Sequence, residues 1–260
     1  MAGISPATAP RLTAGALGAL TALFLAGLPS EALAQRSANA QFQPPASNLA
    51  RQSRPVLSGG RYVSAAGQAF VLDVSGPRPL LRFEQNGEVW SLRPTPAPRG
   101  DVIYRNDAGD QVLRVTPDGG MTVFTARSPG GAPVSRAGEA APLQPPRITP
   151  VQMMNFIVAQ SGRASRALGR LVVVDVLIEP GSEAVAADAL TTAVDALIRM
   201  ARSAQLSQAS SGVRRVLVTD QGQSSVNFDG GTLRIVIDAR AGYAGRPSSQ
   251  RIVREVAERQ

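Results

Sequence analysis

The strongest constraint on the fold is a recurrence of short alternating runs between residues 58 and 126. Apolar and polar residues alternate over Arg61–Ser64, Ala69–Val74, Leu80–Glu84, Glu88–Arg93, Asp101–Asn106, Gln111–Thr116 and Met121–Thr125, spaced roughly ten residues apart. Between them fall Ala66-Gly67, Ser75-Gly76-Pro77, Asn86-Gly87, Asp107-Ala108-Gly109 and Asp118-Gly119-Gly120. These are turn residues, because their backbones tolerate positive φ or start a reversal. A period of two puts Phe70, Leu72 and Val74 on one side of a strand, and Leu81 with Phe83, Trp90 with Leu92, and Leu113 with Val115 repeat the pattern. The pattern predicts an antiparallel meander forming a small soluble β-barrel or a sandwich. The runs are too short for a membrane barrel, whose strands need about 9–11 residues.

The period changes after residue 148. Thr149-Pro150 is a helix start, Thr as cap and Pro at the first helical position, and that helix runs toward Leu168. Leu171–Ile178 is an apolar run suited to a central strand and is stopped by Glu179-Pro180-Gly181. Ser182 can cap a long helix to about Ala209, with Val185, Leu190, Val194, Leu197, Ile198 and Ala201 on one face and Glu183 and Asp188 favourably early. Val213–Thr219 reads as a strand, Ser225–Phe228 and Thr232–Asp238 as a hairpin, and Ser249–Glu258 as a closing helix. The fold class is therefore α+β: the barrel or sandwich (58–126), then a mixed α+β unit (148–260) with helices packed on a sheet. Residues 127–147, rich in Pro, Gly and Ala, read as a linker, and residues 35–57 as a disordered segment.

Residues 1–34 have the three zones of a secretory signal peptide. A short start with one Arg precedes the apolar run Ala14–Leu28, and Ala32-Leu33-Ala34 offers a small-x-small cleavage site before Gln35; Ala38-Asn39-Ala40 is a weaker second site. The apolar run is 15 residues, short of the ~20 that span a bilayer. The expectation is export to the periplasm of a Gram-negative bacterium, with no transmembrane segment left after cleavage. A retained anchor is the competing reading.

The chain has no Cys, no His and no Lys, so all 27 basic residues are Arg. A GC-rich genome accounts for the Arg usage. The absent side chains exclude a Ser-His-Asp triad, thiol chemistry, Schiff bases, a Walker-type phosphate loop and His or Cys metal sites. No cofactor is implied. What remains is carboxylate chemistry, Tyr or Ser activated by carboxylate or Arg, and oxygen-only cation sites. The net charge is +8, yet residues 55–126 hold seven Arg and seven acids. Much of the excess falls on residues 35–54, with three Arg and no acid, and on 127–148, with three Arg and one acid. A nucleic-acid binder would concentrate charge on a folded face, so that class is disfavoured.

No catalytic or metal-ligating residue is assigned. Asp107/Asp110 and Glu84/Glu88 flank hairpin turns, where such residues serve the backbone. Asn106-Asp107-Ala108-Gly109-Asp110 lacks the ligand spacing of an EF-hand. Trp90, the single Trp, reads as core before ligand platform, and Arg99-Gly100-Asp101 is too short a match to carry meaning. The segment Gly242-Tyr243-Ala244-Gly245-Arg246-Pro247-Ser248-Ser249 is a Gly-rich loop entering a helix. Free backbone N–H groups there, with the Arg246 charge, can hold a phosphate or carboxylate. Arg246, Ser248 and Ser249 are the candidate anion-binding residues. The structural alternative is a capped helix whose loop needs two glycines for shape.

Leu92–Asp107 (LRPTPAPRGDVIYRND), then Val112-Leu113-Arg114 and Gly119-Gly120-Met121-Thr122-Val123-Phe124, resembles the signature of a family of exported alphaproteobacterial proteins classed as a domain of unknown function. Ala244–Ser249 is similar to that family's C-terminal end. The resemblance implies export and a shared architecture, and brings no activity or site residue. The leading expectation is a non-enzymatic periplasmic binding or assembly protein of the cell envelope, whose partner is an envelope protein or an anionic cell-wall or lipid polymer. The alternative is a carboxylate-dependent enzyme acting on cell-wall glycan. It requires two acidic side chains converging in one cleft about 5–9.5 Å apart, one with a raised pKa.

Overall fold

A computed structural model describes residues 57–259. The leader and most of the segment read as disordered lie outside the described residues. Nine antiparallel strands come first: β1 Gly60–Ser64, β2 Ala69–Asp73, β3 Leu80–Phe83, β4 Val89–Ser91, β5 Arg93–Pro96, β6 Val102–Arg105, β7 Gln111–Val115, β8 Met121–Thr125 and β9 Ser128–Gly138. Their order in the sheet is β4-β3-β2-β1-β9-β8-β7-β6-β5. The two edge strands, β4 and β5, are consecutive in the chain with only Leu92 between them. A sheet whose edges are joined by one residue must curl until they meet, so the result is a nearly closed barrel. Leu92 is fully buried at that seam, and Phe70, Leu72, Leu81, Leu113 and Val123 fill the interior. Tyr62 stacks on Phe70, Phe70 meets Phe83 edge-on, and Phe83 meets Trp90 edge-on, with centroids 5.5–5.6 Å apart. Val74, expected inside with Phe70 and Leu72, lies past the end of β2 and is exposed.

The linker expected over 127–147 is corrected over its first half. Ser128–Gly138 is the longest strand of the barrel. It pairs with β8 through Ser128, Ala132 and Pro133, and with β1 from Val134 onward. Its composition fits this corner position. Pro133 lacks a donor, but its carbonyl still accepts from the Ala65 N–H at 2.9 Å. Gly131, at φ 88°, leaves room for Thr122 and Phe124, whose side chains would sit 2.6 and 2.8 Å from a Cβ. Proline and glycine here mark a strand changing neighbours, not a tether. Similarly, β5 (RPTP) was hidden by its prolines, which an edge strand tolerates. Beyond β9 the chain is pinned along the barrel exterior, where Leu143 packs with Val71, Val89 and Tyr243.

The second layer runs α1 Pro150–Leu168, β10 Val173–Leu177, α2 Glu183–Arg202, α3 Ser207–Ser211, β11 Arg215–Thr219, β12 Ser225–Asp229, β13 Thr232–Val236 and α4 Ser249–Glu258. The sheet order is β10-β11-β13-β12, with β10, β11 and β13 parallel and β12 antiparallel to β13. α1 opens with the expected Thr149 cap, closed reciprocally by Gln152 as a capping box. α2 ends at Arg202, short of Ala209: Ser203 turns extended with its N–H on the Met200 carbonyl, and a separate turn of helix packs Ala209 back onto the core. Leu190, Val194, Leu197 and Met200 of α2 are fully buried, in one core with Val216, Val218, Leu233 and Ile235 of the sheet. No helix among the described residues is long and apolar enough to cross a membrane. Barrel and α+β layer belong to the same compact unit.

Candidate functional site

The loop before α4 explains why its glycines are there. Gly242 adopts φ 55°, and a Cβ on Gly245 would lie 1.8 Å from the Asp238 carbonyl oxygen. The turn delivers Arg246, Pro247 and the helix start onto the barrel. Ser248 caps α4, its hydroxyl accepting from the Arg251 N–H at 3.2 Å. The Ser248 N–H donates to Asp107 Oδ2 at 2.8 Å, and the Ser249 N–H to Glu88 Oε1 at 2.7 Å. The Ser249 hydroxyl donates to the other Glu88 oxygen. The Arg246 side chain is 1 % exposed; its Nε donates to Asp188 and its Nη2 to the Val89 carbonyl at 3.0 Å. It also lies over the Tyr243 ring, 5.7 Å from the centroid.

Arg246, Ser248 and Ser249 are thus brought together, and the chemistry at the helix start is that of carboxylate capture. The carboxylates are the chain's own. Glu88 comes from the β3–β4 hairpin, Asp107 from the β6–β7 hairpin, and Asp188 from the first turns of α2. This segment bolts the barrel to the layer behind it. Asn106 donates to Gln250, and Arg254 to the Ala108 carbonyl, extending the bolt by one helical turn. The Asn106–Asp110 loop is closed by its own hydrogen bonds, Asp110 N–H to Asn106 Oδ1 at 2.8 Å. Among the described residues no group of three or more acidic, His or Cys side chains is arranged to hold a metal ion. Glu84 is committed to Arg61 at 2.6 Å, and Asp101 of the Arg-Gly-Asp triplet is buried against Arg114.

Beside the bolt lies a cleft of about 700 Å³ between α1, α2 and the Asn86-Gly87-Glu88 turn. Asp188, Thr192, Asp195, Arg199 and Arg202 recur along one face of α2 and line it, and α1 adds Arg163 and Arg166. Arg163 is paired with Asp195 at 2.7 Å. Arg166, Arg199 and Arg202 are exposed and have no carboxylate partner among the described residues. These arginines were missed in the sequence. Arg166, Arg199 and Arg202 lie in the last turns of their helices, where a basic residue is ordinary compensation for the helix dipole. The signal was the same i, i+3 spacing on both helices (Arg163/Arg166 and Arg199/Arg202).

Glu88 and Asp188 both line this cleft, so two carboxylates do share one cavity. Burial pushes the Asp188 carboxyl above its ordinary value, the Arg246 guanidinium pulls it back only in part, and the negative charge of Glu88 pushes it up further. Both oxygens of Glu88, and Oδ2 of Asp188, are nonetheless engaged by donors of the bolt.

The architecture is a nearly closed antiparallel barrel backed by a four-stranded α+β layer, with a polar bolt between them. The chain belongs to the family DUF4908, a domain of unknown function, whose model matches residues 36–256. No curated protein and no solved structure matches it.

Proposed function

We propose that this chain is a non-enzymatic binding module of the cell envelope, exported to the periplasm, that takes an anionic polymer in the cleft between α1 and α2. The observation that carries the reading is the convergence of Arg166, Arg199 and Arg202, none with a carboxylate partner among the described residues, on one open cavity. Guanidinium groups are weakly hydrated forks suited to carboxylate or phosphate oxygens. The test is retention on immobilised polygalacturonate, with dextran as the neutral control. The wild type is retained and eluted by salt, and the combined Arg166→Gln, Arg199→Gln and Arg202→Gln variant passes through. Equal retention of the two overturns the reading. Export is tested separately, by fractionation and by a mature N-terminus at Gln35.

Glu88 and Asp188 in one cleft favour a second reading, a carboxylate-dependent enzyme acting on cell-wall glycan. It ranks below the first because the carboxylate oxygens already serve the bolt. Reducing ends released from purified sacculi, and lost with Asp188→Asn, would establish it.

A further inference from the structure

Four hairpin connections gather at one end of the barrel and enclose a pocket of about 640 Å³. Its apolar wall is aromatic: Phe83, Trp90 and Phe124 line it. Its polar wall is made largely of amides, from Gln68, Gln85, Gln111 and Gln250, with Asn106 beside them. Gln68 accepts from the Thr125 hydroxyl and Gln85 from Arg127; among the described residues neither amide nitrogen has a partner, and the Gln111 side chain has none at all. The Trp90 indole N–H is buried with no acceptor among the described residues. Arg127 and Asp110, the charged lining residues, cancel.

We propose that this mouth is a binding site for a neutral sugar ring of a glycan. A pyranose has apolar C–H faces that lie flat on aromatic rings and an edge of hydroxyls that exchange hydrogen bonds with amides. The pocket supplies both. It cannot take an acyl chain, because the barrel beneath is filled by Phe70, Leu81, Leu92 and Leu113, all fully buried. The site is separate from the arginine cleft, although Asn86 lines both.

Trp90 is the only tryptophan, so the emission comes from the barrel end where this pocket lies. Chitotetraose, titrated into the full chain, produces a saturable change in that emission. Gln85→Ala and Gln111→Ala each weaken the binding about tenfold, the worth of one lost hydrogen bond. Arg166→Gln leaves the titration unchanged, so failure of the polyanion reading and failure of this one are told apart. Flat emission with both chitotetraose and cellotetraose up to millimolar concentration, in protein of native circular dichroism, overturns the proposal. So does a response that both glutamine variants leave intact.

Discussion

Asp73 shows how a single side chain can fix a long connection. Its Oδ1 accepts from the Ser75 N–H and hydroxyl at 2.9 and 2.7 Å, and its Oδ2 from the Leu143 N–H at 2.7 Å. Burial alone would raise this carboxyl, but the hydrogen bonds outweigh it and hold the pKa below the ordinary value. A carboxylate lowered on folding adds stability that is present above its unfolded pKa and is lost as pH falls through the folded one. Asp73→Asn is therefore expected to cost about 1–3 kcal/mol at neutral pH, since one N–H must then face another. Chemical denaturation at two pH values checks it: the gap to wild type closes in acid. Gly245→Ala is expected to be still more damaging, because its Cβ would overlap the Asp238 carbonyl. At this scale the sequence was informative about chemistry and silent about partners. Gly242, Gly245 and the anion-holding character of Ser248 and Ser249 were readable locally. That the anions would be Glu88 and Asp107 was not, since they lie 161 and 141 residues away in the chain.

Elements were legible wherever the hydrophobic period was uninterrupted. α1, the β12–β13 hairpin and α4 stand within a few residues of where capping and periodicity put them, because the determinants of each lie inside it; β10 keeps its place in the chain but is an edge strand with Val173 and Leu177 exposed, not the central strand its apolar run suggests. β9 failed that test. Its partners lie on two different neighbours, and the residues that let it change partner, Pro133 and Gly131, are those that denote a linker when read locally. Two adjacent glycines of β9 differ for the same reason. Gly131→Ala must displace Thr122 and Phe124 and adopt an unfavourable φ, whereas a Cβ on Gly130 meets nothing within 4 Å. Gly131→Ala is expected to lower stability by about 1–3 kcal/mol and Gly130→Ala by less than about 0.5 kcal/mol. Urea denaturation of the two variants measures the difference. If they behave alike, the segment is held less tightly than a corner strand requires.

Across the whole molecule, the polar bolt raises the question of whether the barrel and the α+β layer fold as one. Each has its own hydrophobic core, of buried Phe70, Leu81 and Leu113 in one and Leu190, Leu197 and Ile235 in the other. What joins them is largely polar: Glu88 and Asp107 on the start of α4, and Arg246 on Asp188 and the Val89 carbonyl. Breaking a buried pair from one side leaves an uncompensated charge, which costs about 3–5 kcal/mol. Asp188 is 19 % exposed, so Arg246→Ala belongs near the lower end of that range. Removing both partners strands no charge, so Arg246→Ala with Asp188→Ala should cost less than the sum of the single changes. The two halves also report separately. Trp90 emission follows the barrel, and far-ultraviolet helical dichroism follows α1, α2 and α4. In the wild type the two signals should lose structure together. In Glu88→Gln with Asp107→Asn, the helix start keeps its donors but loses its charged acceptors, and the coupling weakens while both cores stay intact. The two transitions should then separate, with the barrel and the layer melting at different denaturant concentrations. Coincident transitions in that variant would mean that apolar contact across the interface, Tyr243 against Val71, Val89 and Leu143, is sufficient to hold the halves together.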